Sequence, residues 1–261
     1  HIDALGSIFA VRPGRDPSKL PIGIGSHLDT QPTGGKYDGV LGTLAALEVI
    51  HTLNRLEIET EAPICLVNWT NEEGSRFAPA VMGSAAYAGL YSTQDILARQ
   101  DIDGVTVGDA LDAIRYRGSE PVGALKLGAF VEVHIEQGPL LEAESKTIGV
   151  VDRGQGVIWY DGRIVGAAAH TGTTPMNHRR DALAALSELV LSVERIALGY
   201  GPRAVGTIGE CRIAEPSRNV IAGDVRFTME CRSAEIEVLD EFDRRTRKSA
   251  ADIAGRRQVG I

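Results

Sequence analysis

The sequence has no long apolar run, few cysteines and no cluster of basic residues. No stretch approaches the roughly 20 apolar residues that a membrane-spanning helix needs, so we expect no membrane partner. The net charge is -8, from 27 Lys and Arg against 35 Asp and Glu, which argues against nucleic acid as a partner. The three cysteines lack CxxC spacing. They predict a reducing, cytoplasmic compartment and argue against a thiolate zinc site.

The remaining composition is that of a folded globular protein. Hydrophobic residues make up 43% of 261 residues, which suffices for one or two domains with a sizeable core. The chain begins at His1 and ends in an apolar turn that resembles the start of another strand. We therefore interpret it as a portion of something longer.

Short apolar runs alternate with helical patterns in the first half of the chain. Leu41, Leu44 and Leu47 recur at helical spacing and predict an amphipathic helix over 39–56. Residues 81–118 indicate irregular helix and turn. The predicted strands are 8–11 and 20–25, paired as a hairpin, and then 63–69 and 129–136. This alternation favours an α/β fold with a helix-covered, mostly parallel sheet.

The pattern changes in the middle of the chain. Residues 148–170 predict strand, turn and strand, and a long helix follows with Pro175 at its entry. A second strand pair over 204–232 and a second helix over 234–255 complete a β-β-α-β-β-α order. That order is typical of a small two-layer α+β unit. The expected domains are 1–153 and 154–261.

Five side chains able to bind a metal fall near the ends of the predicted strands. They are His27, Asp38, Glu72, Glu73 and His134. The carboxyl ends of strands line the ligand crevice of open α/β sheets, so these side chains should converge. Two imidazoles beside several carboxylates need a compensating positive charge. His, Asp and Glu form the ligand set of zinc and neighbouring metals, so the pattern predicts a divalent-metal site.

The adjacent carboxylates Glu72 and Glu73 suggest a division of tasks. One can bind metal, while the other stays free as a general base. Asp38 is the natural bridge between two metals. Asp29 lies two residues after His27 and suits an acceptor that holds the imidazole ring. Taken singly, each residue has a plainer interpretation as a structural histidine, a solvated turn or a helix cap.

Four motifs extend these expectations. GSHLDTQPTGGKYDG, NEEGSRF, HIEQGPLLE and AHTGTTPMNHRRDA follow one another in this order. They closely resemble the N-carbamoyl-L-amino acid hydrolase, β-ureidopropionase (β-alanine synthase) and allantoate amidohydrolase group. That group belongs to the di-zinc peptidase–amidohydrolase superfamily, and the similarity runs the length of the chain.

The resemblance implies a role for each predicted ligand. His27 and His134 would bind one metal, Asp38 would bridge two metals, and Glu73 would bind the second. Glu72 would be the general base that takes a proton from the bridging water and passes it to the leaving nitrogen. Zinc is the first choice of metal, and manganese, cobalt or nickel suit the same ligands.

The second domain resembles the lid and dimerisation domain of this family, which implies a homodimer. His170 resembles the residue that polarises the scissile carbonyl and reaches the partner's site. With His170, the substrate-binding set would comprise Gln137, Asn219 and Arg232. Asn219 and Arg232 would hold the substrate carboxylate, which a guanidinium matches with two hydrogen bonds. Without the resemblance, His170 is a turn residue and Arg232 an exposed strand-end charge.

Some family features are missing from the sequence. The family's last metal ligand is a histidine near the C-terminus, and this chain has no counterpart. The N-terminal helices and the closing strand of the lid are also missing. If these residues are the whole molecule, we expect an incomplete second metal site and little turnover. If they belong to a longer chain, we expect the full site.

The resemblance implies a ureido substrate. Hydrolysis of N-carbamoyl-β-alanine or an N-carbamoyl-L-amino acid would yield the amino acid, carbon dioxide and ammonia. Allantoate is a close alternative, and a dipeptidase or aminoacylase of the same superfamily is another. A non-catalytic fragment that binds a metal or a small carboxylate is the alternative from a different class.

Overall fold

The computed structural model describes residues 1–261, which pack as two compact units, His1–Ile148 and Gly149–Ile261. The strands of the first unit are β1 (Ile8–Arg12), β2 (Ile22–His27), β3 (Ile64–Trp69) and β4 (Ala129–Val131). Its helices are α1 (Val40–Arg55), α2 (Met82–Tyr87), α3 (Thr93–Leu97), α4 (Val107–Ala113) and α5 (Leu140–Ala143). No helix combines the length and the apolar character needed to cross a bilayer.

The sheet of the first unit has the strand order β1-β3-β2-β4. β2 runs parallel to both β3 and β4, whereas β1 pairs antiparallel with β3. The central strand β3 buries Cys65, Val67 and Trp69, against which Phe9 of β1 packs. This mixed α/β arrangement confirms the predicted fold class.

The predicted hairpin between the first two strands is wrong, because β3 lies between them. The apolar β3 offers both neighbours a buried surface. Gly25 lets β2 approach it closely, since a Cβ at this position would lie 1.9 Å from the carbonyl oxygen of Val67. The connection between β1 and β2 is also much longer than the turns that close tight hairpins.

The predicted strand over 129–136 is shorter in the structure. β4 ends at Val131, and its ladder with β2 stops at the pair Ile24 and Val131. β4 is an edge strand that pairs on one side only. The residues that follow it are therefore not held by a ladder, and their side chains must be positioned by other contacts.

Helix α1 has nearly the predicted bounds but does not bury the predicted leucines. Leu44 and Leu47 are 54% and 52% exposed. The buried residues are Gly42, Thr43 and Ala46. A Cβ at position 42 would lie 2.7 Å from the Cβ of Ser26. The small residues therefore face the sheet because only they allow the helix so close to β2.

The second unit has two layers, which confirms the predicted α+β class. Its strands are β5 (Gly156–Val165), β6 (Ala169–His170), β7 (Val205–Ile213), β8 (Val220–Ile221) and β9 (Asp224–Ser233), and its helices are α6 (Ala182–Leu198) and α7 (Ile236–Arg257). An antiparallel sheet of order β5-β9-β7 packs against both helices, and β6 pairs with β8. The core between the layers includes Ile164, Leu189, Val225 and Phe242.

Two predicted boundaries in the second unit are wrong. Residues 148–155 lie outside the strands, and β5 is a single strand of ten residues. Pro175 precedes a 3₁₀ turn over Met176–His178 rather than the long helix. α6 begins at Ala182, because the carboxylate of Asp181 accepts the amide of Ala184 at 3.0 Å and caps the helix there.

Candidate metal centre

The two histidines of the predicted cluster lie on neighbouring strands of the first unit. His27 is the last residue of β2, and His134 lies three residues beyond the end of β4. The register pairs Ile24 with Val131, and His27 and His134 each lie three residues further along the chain, so the two histidines come to lie opposite each other. Their Nε2 atoms are 3.4 Å apart.

Backbone carbonyl groups set the tautomer of both rings. His27 Nδ1 lies 2.8 Å from the carbonyl oxygen of Asp29, and His134 Nδ1 lies 2.8 Å from that of Ile135. A carbonyl oxygen can only accept, so each Nδ1 carries the proton and each Nε2 presents a lone pair. Two lone pairs that face each other at 3.4 Å repel unless a cation lies between them.

Asp38 brings a buried carboxylate to the same point. It lies in the turn before α1 and is 1% exposed. Its Oδ1 is 3.3 Å from His134 Nε2 and 3.8 Å from His27 Nε2. The next residue, Gly39, has φ +66°, and a Cβ there would lie 2.4 Å from Cε1 of His27. Only glycine lets the turn pass this ring so closely.

These three side chains fit a divalent cation. Ligand atoms of His27, Asp38 and His134 all lie within 4.8 Å of one another. A metal bound tetrahedrally to nitrogen ligands at about 2.0–2.1 Å keeps those ligands about 3.4 Å apart. The separation of the two Nε2 atoms matches this value. The donor set of two imidazoles and one carboxylate suits zinc and other first-row metals.

Glu72 and Glu73 lie in the segment that follows β3, and they form a second group of potential ligands with His27. Glu72 Oε2 lies 3.7 Å from His27 Nε2. Glu73 Oε2 accepts a hydrogen bond from the amide of Gln31 at 2.9 Å. Glu73 Oε1 is buried and has no hydrogen-bond partner. A buried carboxylate oxygen without a donor is costly, and a metal ion would satisfy it.

The pKa values of both glutamates are raised. Burial is the main cause for Glu72, the charges of neighbouring carboxylates add to it, and His27 opposes it. Burial is also the main cause for Glu73, where Gln31 lowers the pKa and Asp38 raises it. These shifts record carboxylates that are withdrawn from water and also lie near one another, and a bound cation would offset both effects.

Asp29 does not act mainly in the way the sequence predicts. Its backbone carbonyl holds the His27 ring, while its carboxylate lies 3.8 Å from His27 Nδ1. The carboxylate instead accepts the backbone amides of Glu72 at 3.1 Å and Glu73 at 3.0 Å. One residue thus orients the imidazole through its main chain and the turn of the glutamates through its side chain.

Sequence reasoning missed three residues near the cluster, which are Ser26, Glu132 and Gln31. Ser26 donates a hydrogen bond to Glu132 Oε1, just beyond the point where the ladder between β2 and β4 stops. Glu132 lies two residues before His134, so strand alternation could have indicated it. Gln31, which holds Glu73, lies in a loop without any such periodic signal.

Gln137, predicted to bind substrate, lies against a candidate metal ligand. Its side-chain amide donates a hydrogen bond to Oδ2 of Asp38. Its backbone adopts φ +56°, which turns the chain directly after the segment that carries His134. The contact orients the carboxylate of Asp38 opposite the two imidazoles.

The remaining predicted residues lie in the second unit. His170 on β6 pairs with Val220 of β8, and the amide of Thr171 donates to the carbonyl of Asn219 at 3.0 Å. The structure therefore brings His170 and Asn219 together. Arg232 lies on β9, in the other sheet, where Nε and Nη2 donate to the Glu230 carboxylate at 2.5 Å and 2.9 Å.

Comparison with known proteins agrees with this geometry. The model of peptidase family M20/M25/M40 matches residues 23–256. The chain belongs to this family. M20-family enzymes are generally metal-dependent, and both candidate ligand groups of this M20-family chain lie within the matched range.

Three similar proteins illustrate the match. The chain is 48% identical to an N-carbamoyl-L-amino-acid amidohydrolase of Rhizobium meliloti, over 99% of this chain and 62% of that protein. It is 36% identical to an N-carbamoyl-L-amino acid amidohydrolase of Geobacillus stearothermophilus, over 99% of this chain and 64% of that protein. The crystal structure of an amidase of the hydantoinase/carbamoylase family from Burkholderia vietnamiensis matches with a TM-score of 0.94 and 47% identity. The match covers 99% of this chain and 63% of that chain. This M20-family chain therefore spans less than two thirds of the length of these relatives.

Proposed function

We propose that this chain carries the metal centre of an amidohydrolase that acts on N-carbamoyl amino acids. Hydrolysis of the carbamoyl amide would yield the amino acid, carbon dioxide and ammonia. The names of the two curated relatives support the substrate class. β-Ureidopropionase activity, with N-carbamoyl-β-alanine as substrate, is the narrower form of this proposal.

One observation carries the proposal. Glu72 Oε2 lies 3.7 Å from His27 Nε2, beside the cluster that fits a cation. The neighbouring Glu73 carboxylate is held by Gln31, whereas the Glu72 carboxylate makes no hydrogen bond to the protein. A carboxylate next to a metal site that is not itself held by donors suits a general base.

We assign His27, Asp38 and His134 to one divalent ion, and Asp38 and Glu73 to a second, with zinc as the first choice. Such ions polarise a carbonyl and make water a stronger nucleophile at neutral pH. Glu72 would take a proton from the attacking water and deliver it to the nitrogen that leaves. The amide of Gln137 keeps Asp38 oriented and remains our candidate contact for the substrate.

The second unit supplies the other proposed substrate contacts. An imidazole N–H of His170 would donate to the carbonyl oxygen as negative charge develops on it. Asn219 and Arg232 would bind the substrate carboxylate. The guanidinium of Arg232 already donates two hydrogen bonds to the carboxylate of Glu230. The same geometry would let it bind the carboxylate of a substrate instead.

We also propose that the second unit forms a homodimer. β7 is an edge strand and pairs only with β9. α6 packs against β7 and exposes Val190, Leu191 and Leu198, the last two at 56% and 73%. An unpaired edge strand beside an apolar helix surface supports a two-fold interface with a second copy.

The decisive experiment is the variant Glu72→Gln. It keeps the shape of the side chain but removes the base, so we expect metal content to stay unchanged while kcat falls by about 10²–10⁴. Ammonia release is measured with N-carbamoyl-β-alanine, an N-carbamoyl-L-amino acid and allantoate, and cleavage is measured with a dipeptide. Glu144→Gln, at an exposed position of the same unit, is the matched control.

The substrate panel separates the alternatives. Ammonia release from allantoate alone would replace the proposed substrate, and cleavage of the dipeptide alone would indicate a peptidase. Undiminished turnover by Glu72→Gln would remove its role as the base. Failure of the unmodified protein to act on any of them, with no bound metal, would support a non-catalytic binding protein.

A further inference from the structure

The loop after β6 holds His170 through one ring nitrogen. The backbone amide of Gly172 donates to His170 Nδ1 at 3.1 Å, and the amide of Thr174 donates to the His170 carbonyl at 3.1 Å. An amide N–H can only donate, so Nδ1 of the neutral ring is unprotonated and the proton lies on Nε2. His170 is exposed, so this Nε2–H is accessible as a hydrogen-bond donor.

Gly172 must lie very close to the ring for this contact. A Cβ at position 172 would be 3.1 Å from Cε1 and 3.4 Å from Nδ1 of His170. Since the ring has so little clearance, a small displacement of the loop would break the bond to Nδ1. The tautomer of His170 therefore depends on what keeps the loop in place.

Arg179 holds this loop from a half-buried position. Its Nη2 donates to the carbonyl oxygen of Thr171 at 2.6 Å, and its Nε donates to that of Thr174 at 3.1 Å. The two carbonyl groups flank Gly172 on either side. A planar guanidinium can span both acceptors, whereas the single ammonium of a lysine is a poor substitute.

The backbone of Arg179 is itself firmly placed. It follows the 3₁₀ turn Met176–His178 and lies two residues before Asp181, which caps α6. The loop is thus connected to the helix–sheet core of the second unit. The adjacent Arg180 has an exposed side chain and provides a matched comparison.

We infer that Arg179 is a positioning residue for His170. Its guanidinium clamps the carbonyls of Thr171 and Thr174, keeps the Gly172 amide on Nδ1, and so fixes the imidazole as the Nε2–H tautomer. The catalytic consequence rests on the proposed function, in which Nε2–H donates to the substrate carbonyl. The tautomer itself can be measured without any substrate.

The first test is nuclear magnetic resonance of protein labelled with ¹⁵N-histidine, at a pH where the imidazoles are neutral. The variant His170→Gln identifies the His170 signals. We expect the Nε2–H pattern in the unmodified protein and in Arg180→Gln, and averaged shifts of both tautomers in Arg179→Gln. An Nδ1–H pattern in the unmodified protein, or an unchanged pattern in Arg179→Gln, would overturn the inference.

A second variant keeps the test possible if Arg179→Gln does not fold. If Arg179→Gln does not give a native circular-dichroism spectrum, Arg179→Lys takes its place. Lysine keeps the positive charge but lacks the planar guanidinium that donates to both carbonyl groups. Averaged His170 shifts in Arg179→Lys support the clamp, and a single Nε2–H pattern refutes it.

Kinetics with a ureido substrate give the second readout. We expect Arg179→Gln to lower kcat about 10–100-fold with KM changed less than about threefold, because the donor acts in the transition state. Arg180→Gln should match the unmodified protein. An equal loss in Arg180→Gln, or a rise in KM alone, contradicts the positioning role. If the unmodified protein hydrolyses no ureido substrate, the proposed function fails, whereas the resonance comparison still decides on the clamp.

Discussion

Asp29 offers a direct test of how the two glutamates are positioned. Its carboxylate accepts the amides of Glu72 at 3.1 Å and Glu73 at 3.0 Å, one with each oxygen. Asp29→Asn keeps the shape of the side chain but replaces one oxygen with an NH₂ group. A donor then faces a donor, and one of the two amides loses its acceptor.

The size of the effect follows from the geometry. A hydrogen bond to a charged group contributes about 1.5–3 kcal/mol. The Asp29 side chain is 33% exposed, so water replaces part of the lost bond. We therefore take the lower end, about 1.5 kcal/mol, which corresponds to roughly a tenfold change in an equilibrium constant. The turn that carries Glu72 and Glu73 should open about ten times more often.

Amide hydrogen exchange followed by mass spectrometry measures this opening. We expect exchange in a peptide that covers residues 70–76 to become about tenfold faster in Asp29→Asn. Asp16→Asn is the control, because Asp16 also accepts a backbone amide, that of Ser18 at 3.0 Å, in a different loop. It should leave exchange in residues 70–76 unchanged.

Metal affinity distinguishes two roles for the Asp29 carboxylate. It either supports the turn of Glu72 and Glu73, as the structure indicates, or holds the His27 ring, as the sequence predicts. The His27 ring is held by the backbone carbonyl of Asp29, which the variant retains. Affinity for zinc should therefore change less than about threefold, whereas loss of an acceptor that holds a metal-binding histidine typically costs about 10–100-fold. Unchanged exchange, or an affinity loss of that size, would refute the reasoning.

Three further predictions concern other parts of the molecule. Glu132→Ala removes the side-chain bond that joins β2 to the segment carrying His134, so zinc affinity should fall about tenfold in a chelator competition, and unaltered affinity would contradict this. Phe242→Ala should lower the free energy of unfolding in urea by about 3–5 kcal/mol, because Phe242 is fully buried, while exposed Asp240→Ala on the same helix should change it by less than about 0.5 kcal/mol. Leu191→Arg should convert a dimer to a monomer in light scattering, and a monomeric unmodified protein would end the dimer proposal.

Local patterns in the sequence determined much of the candidate site. Apolar runs end where the polar residues begin, so the order of residue types alone places His27 and the Glu72–Glu73 pair at strand ends. Helical spacing predicted α1 to within one residue at each end. These features depend on residues near one another in the chain, and the motifs that resemble the amidohydrolase group are local in the same sense.

Tertiary structure alone decided the strand order and the buried surface of α1. The hairpin prediction failed because β1 gains more by pairing with the apolar β3 than with its neighbour in sequence. The leucine pattern of α1 indicated a helix but not its buried side, since close approach to β2 selects Gly42, Thr43 and Ala46.

The sequence also could not predict the contacts that support the candidate ligands. Asp29 meets the glutamate amides 43 and 44 residues later, Gln31 meets Glu73 across 42 residues, and Ser26 meets Glu132 across 106. No periodicity links residues so far apart. The sequence determined which chemical groups are available and on which elements they lie, whereas the packing of the strands decided which of them touch, because hydrogen bonds depend on distances that only the folded chain sets.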